Sequence, residues 1–159
     1  LASGASNVTV TSDEFADALS AVCLDLARQL IADAEGSTKD IKIVVSNAAT
    51  EDEAVEVART VSRSNLLKCA IHGEDPNWGR VLSAIGTTSA IFEPDEIDVD
   101  FNGVAVCRSG SALANEPEVD LSNRVVEISI DLHAGDSAAT LWTNDLTAMY
   151  VHENSAYST

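Results

Sequence analysis

The same start signal occurs twice in the first half of the chain, and what lies around the two copies decides the class of fold. Thr11 with Glu14, and Thr50 with Glu53, each set a hydroxyl three residues before a glutamate, the spacing of a capping box. After the first, Phe15, Leu19, Val22, Leu26 and Leu30 recur at helical spacing; after the second, Ala54, Val57, Ala58 and Val61 do the same. Between the two helices "DIKIVVSN" alternates and is β-branched, so it reads as a strand. Gly36 reads as the stop of the first helix. Helix, strand and helix in succession point to an α/β (α+β) chain.

The pattern continues with "NLLKCAI", predicted as a strand, and a polar turn carrying His72, Glu74, Asp75 and Asn77. Asp75 is expected to cap a helix with Pro76 at its first position. After Gly86 strands dominate: "EIDVDF", the Asn102-Gly103 signal of a type I′ hairpin, "VAVC", "RVVEISIDL" and "SAATLWTND". "HAGDS" is a second hairpin candidate, a short helix is expected near "DLTAMYV", and "HENSAYST" is a polar tail. Two parts are therefore expected: residues 1–86, α/β with a βαβα pattern, and residues 87–159, smaller and β-rich. The opening "LASGASN", without a Met, reads as the end of a strand running into a loop, as in a fragment or processed product.

Charge narrows the partners. With 26 acidic against 9 basic residues the formal net charge is −17. Phosphate contacts need clustered Lys and Arg, so nucleic acid and anionic membranes are poor partners. No run approaches the ~20 apolar residues of a membrane span. Cys23, Cys69 and Cys107 are widely spaced, each in an apolar run, and read as small buried hydrophobes rather than zinc ligands or a disulfide framework. That suits a reducing cytoplasm. No metal or cofactor site is indicated.

The chemistry-bearing candidates are few. His72 beside Glu74 and Asp75 invites an acid-base reading, or only a polar turn. His133 and His152 have no visible partner. No GxSxG, GxGxxG or P-loop occurs. "DAEGSTKDI" puts Glu35 near a helix C-terminus, where the dipole favours cations, so Glu35 is misplaced unless a positive group meets it.

Three separated blocks, "DAEGSTK", "DPNWGRVLSAIG" and the closing "VHENSAYST", resemble the ornithine acetyltransferase family, the bifunctional glutamate N-acetyltransferases of arginine biosynthesis. "TEDEAVEVARTVSRSNLLKCAI" and "TNDLTAMYV" fit the stretches leading into the second and third, so the resemblance covers nearly the whole chain. It implies a fold like that of the DmpA-type N-terminal-nucleophile aminopeptidases. It implies a precursor that cleaves itself before a threonine, which becomes the nucleophile of the β chain, and an α2β2 heterotetramer formed with the α chain of the same precursor. It implies a ping-pong reaction in which the threonine takes acetyl from N-acetylornithine, ornithine leaves and glutamate accepts; some members also use acetyl-CoA as donor. The cleavage site and its threonine would lie upstream of Leu1, so the chain reads as the C-terminal part of a β chain, with no catalytic nucleophile of its own and inactive alone. Glu35, Asn154 and Thr159 match the family's substrate-binding positions. Relatives often carry Phe or Tyr where this chain has His72, which counts against His72 as a catalyst; the "GEDPNWGR" turn is read mainly as architecture, with Arg80 able to pair with a carboxylate but not expected to be the catalyst. The alternatives are a related N-terminal-nucleophile aminopeptidase and a non-catalytic assembly or binding module.

Overall fold

The computed structural model describes residues 4–115 and 117–156. Thr159, and the first three residues of the expected opening strand, lie outside them. The chain forms two units divided between Leu30 and Ile31.

The first unit is built on helix α1 (Ser12–Ala32), which runs past the division. Its capping box forms as expected. Glu14 N–H donates to Thr11 Oγ1 at 3.2 Å, and Glu14 Oε2 accepts from Thr11 N–H at 2.9 Å. Among the described residues of its own unit, nothing buries the apolar stripe from Phe15 to Leu30. Cys23 is likewise uncovered there.

The second unit contains β1 (Asp40–Ala48), α2 (Glu51–Ser62), α3 (Asn65–His72), α4 (Trp78–Ile85), β2 (Asp98–Phe101), β3 (Val104–Arg108), β4 (Ser111–Ala112), β5 (Val125–Asp131), β6 (Ser137–Asn144) and α5 (Ala148–Ser155). The strands make one six-stranded mixed sheet in the order β4-β3-β2-β5-β1-β6. β1 runs parallel to β5 and antiparallel to β6. The position Gly86 falls between α4 and β2, and this sheet takes strands from both sides of it.

Alternation decides which face is buried. Ile41, Ile43 and Val45 of β1, Val126, Ile128 and Ile130 of β5, and Val99 and Phe101 of β2 form one face. Ala54, Val57, Ala58 and Val61 of α2, Leu67 and Ile71 of α3, and Val81 and Ile85 of α4 join them in a single core. The opposite face is polar: Lys42 and Glu127, directly paired in the ladder, meet at 2.8 Å.

Four local expectations are corrected. "NLLKCAI" is a helix, because Ser64 caps it by accepting from Leu67 N–H. A run of seven apolar-rich residues is too short for its period to separate strand from helix. Helix α4 is capped by Asn77, which accepts from Arg80 N–H, and not by Asp75. "HAGDS" is not a hairpin, since β1 lies between β5 and β6; the segment instead wraps the end of β1, with Ala134 and Gly135 N–H donating to Asn47 O. Cys107 is buried as expected, but Cys69 is exposed. The Asn102-Gly103 turn has positive φ at both residues, as type I′ requires.

Candidate functional site

Helix α1 stops at Ala32, four residues before Gly36, and the segment 33–39 carries the chain into β1. Arg124 fixes its start: the guanidinium donates to Ala32 O and pairs with Asp40 at 3.1 Å. Helix α5 lies across its middle. Thr147 caps α5 by accepting from Tyr150 N–H at 3.0 Å and donates its own hydroxyl to Gly36 O at 2.6 Å. Gly36 has φ +70°, and a Cβ there would stand 2.5 Å from Tyr150 N, so only glycine fits both the turn and the approach.

This docking brings Glu35 and Asn154 together from opposite ends of the unit. Asn154 Nδ2 donates to Glu35 Oε2 at 3.2 Å and to Tyr150 O at 2.8 Å. Both side chains are exposed, so the carboxylate is oriented by a neutral partner and keeps its negative charge open to a cation. Thr159 lies outside the described residues.

Beneath them sits a polar hub that the sequence did not announce. Asp145, 3% exposed, accepts from the backbone N–H of Thr38 at 2.9 Å and of Lys39 at 3.1 Å, and from the Ser37 and Thr38 hydroxyls. Burial pushes its pKa up, but these donors outweigh burial and hold the carboxyl below the usual range. Lys39, also buried, caps the loop before β5: its ammonium meets Leu121 O, Ser122 O and Asn123 O, and pairs with Glu74 at 2.9 Å.

His72 belongs to this hub. Its Nδ1 stands 3.1 Å from both Thr38 Oγ1 and Asp145 Oδ2. A relay needs the nucleophile on one ring nitrogen and the acid on the other. Here one nitrogen meets both, and the Thr38 hydroxyl already donates to Asp145. The geometry makes His72 a strut between α3 and the β1 entry. Arg80 is a strut too, donating to Leu66 O. Asp75 accepts from Asn77 Nδ2 and so shapes the turn that drew attention in the sequence. His133 does have partners: its ring lies 3.3 Å from Asp98 and 3.5 Å from Asp131. Among the described residues no group of three or more His, Cys, Asp or Glu side chains is arranged to hold a metal, and no helix is long and apolar enough to cross a membrane.

The model of a family described as "ArgJ family" matches residues 1–159. The "Arginine biosynthesis bifunctional protein ArgJ" of Streptomyces coelicolor is 65% identical over 158 residues, covering 99% of this chain and 41% of that protein. The protein of the same name from Thermobifida fusca is 58% identical over 159 residues, covering 100% of this chain and 42% of that protein. The crystal structure of the arginine biosynthesis bifunctional protein argJ from Bacillus halodurans superposes with a TM-score of 0.86 at 33% identity, covering 96% of this chain and 76% of that one. The chain thus spans well under half the length of the two curated relatives.

Proposed function

The chain belongs to the ArgJ family, and from that premise we propose that it is the C-terminal part of the β chain of a glutamate N-acetyltransferase. In this reading the complete protein moves an acetyl group from N-acetylornithine to glutamate through a threonine acyl-enzyme, in a ping-pong cycle. The threonine and its oxyanion donors come from the rest of the precursor, in an α2β2 assembly; acetyl-CoA is a donor for some members of the family that the sequence resembles. The setting is the cytoplasm, and the reaction needs no metal or cofactor.

One observation carries the reading: an exposed carboxylate on the 33–39 segment, Glu35, is held by an amide 119 residues later, Asn154. These are two of the residues that the family resemblance marks for substrate. The chemistry suits the assignment, because Glu35 answers an ammonium such as that of ornithine, while Asn154 offers both a donor and an acceptor. Thr159 is assigned to the same site through the resemblance alone.

The test uses the full-length protein with all its chains, N-acetylornithine and glutamate. Acetylglutamate formation is expected. Glu35→Gln removes the charge and keeps the shape; charged hydrogen bonds are worth about 1.5–3 kcal/mol, so KM for N-acetylornithine should rise about 10- to 100-fold. Absence of acetyl transfer by the unmutated protein would sink the reading and favour a hydrolase or a non-catalytic module.

A further inference from the structure

Basic residues are scarce in this chain, and most of those packed on the sheet are matched by acids. Lys39 pairs with Glu74, Lys42 with Glu127, Arg108 with Asp98 and Asp100, and Arg124 with Asp40. Lys68 of α3 is different. It is half-buried, its ammonium donates to Asn144 Oδ1 at 3.1 Å, and among the described residues no carboxylate stands within ion-pair distance. An ammonium has three protons to donate. A half-dehydrated cation with a single neutral acceptor is poised for an anion.

Lys68 lines a cleft of about 410 Å³ with Asn65, Asn144, Asp145, Leu146 and Tyr150. Two of these supply side-chain amides. Asp145 is not an ion-pair partner of Lys68: its oxygens face Ser37, Thr38, Lys39 and His72, and its charge reaches Lys68 only as a longer-range field. Burial lowers the Lys68 pKa, and the field of Asp145 counters this and favours the charged form. One residue of α5 links the cleft to the Glu35 site: Tyr150 lines the cleft, and its carbonyl accepts from Asn154 Nδ2, which also donates to Glu35.

A ping-pong site receives two amino acids in turn. Ornithine and glutamate share an α-carboxylate and differ in side-chain charge, so one acid cannot serve both. We propose that Lys68, with the amides of Asn65 and Asn144, seats the side-chain carboxylate of glutamate and so selects the acetyl acceptor. The inference rests on the acetyltransferase reading above.

The test compares Lys68→Met and Lys68→Arg in the full-length protein. Lys68→Met should raise KM for glutamate about 10- to 100-fold, the scale of a lost charged hydrogen bond. The rise for N-acetylornithine should be at least tenfold smaller, and Lys68→Arg should recover most of the loss. An equal rise for both substrates, or none, overturns the proposal. A second readout needs no variant: amine-selective labelling of the unmutated protein, read by mass spectrometry with Lys42 as reference. Glutarate, a dicarboxylate without an amine, should protect Lys68 and leave Lys42 labelled; no protection overturns the proposal. If the unmutated protein transfers no acetyl group, the enzymatic reading fails, while glutarate protection still reports whether Lys68 seats a carboxylate.

Discussion

Replacing Asp145 with alanine is expected to destabilise the sheet-bearing unit by about 2–4 kcal/mol, because it strips the acceptor from two backbone N–H groups that have no other partner among the described residues. Those groups belong to Thr38 and Lys39, where the chain enters β1, and Lys39 is buried. The Ser37 and Thr38 hydroxyls can turn to water, so they add less. Asp145→Asn keeps one acceptor oxygen and should lose less. Urea unfolding checks both: the midpoint should fall while the slope with denaturant stays constant. An alanine variant as stable as the parent would remove Asp145 from its place as hub. The same residue sets an acid limit. Its folded pKa is depressed, so its contribution is complete above the ordinary carboxylate value of about 3.9 and is lost as pH falls through the lower folded value. Asp98 and Glu127, also depressed, act in the same direction. Below about pH 4 the parent protein should therefore lose stability more steeply than Asp145→Asn.

Gly36→Val should be of similar size, about 2–6 kcal/mol, and it should strike the candidate site. A β-branched residue is strained at φ +70°, at about 1–3 kcal/mol. Its Cβ would also press on Tyr150 N at 2.5 Å and Tyr150 Cα at 2.8 Å, both backbone atoms of α5, and such overpacking costs about 1–3 kcal/mol more. Relief requires α5 to move off the 33–39 segment. That movement breaks the Thr147–Gly36 and Asn154–Glu35 hydrogen bonds together. Amide hydrogen exchange over residues 148–156 should accelerate, and N-acetylornithine binding by the full-length protein should weaken in parallel. Unchanged exchange in α5 would show that the loop, not the helix, absorbs the substitution.

The elements legible in the sequence are those whose signal is local and long. Helices α1 and α2 have capping hydroxyls and several turns of stripe, and β1, β5 and β6 are seven residues or longer, with burial alternating along β5 and most of β1. The error at α3 has the opposite cause, eight residues whose one clear helical marker is the Ser64 cap. The "HAGDS" segment misled because a hairpin is the local solution for two successive strands, whereas here β1, some 80 residues earlier, lies between them. Glu35 was visible as an acid at an unfavourable helix end, and Asn154 only through the family resemblance. Asp145 and Lys68 were not visible at all. Each is a single polar residue in an ordinary setting, and its meaning comes from partners remote in the chain: Ser37 to Lys39 for Asp145, Asn144 and the α5 turn for Lys68.

The central place of β1 also sets a clock for the ribosome. Both neighbours of this strand are late: Ile43 pairs with Ile128, about 85 residues further along, and with Leu141 beyond that. At typical elongation rates roughly 4–17 s pass before the first neighbour has even been synthesised. During that interval the strand's row of Ile41, Ile43 and Val45 has the apolar faces of α2, α3 and α4 for shelter, but neither strand that flanks it in the finished sheet. The nascent chain therefore carries an unpaired, β-branched strand through much of its synthesis, a window in which a holding chaperone on the emerging chain would matter more than the speed of the final collapse.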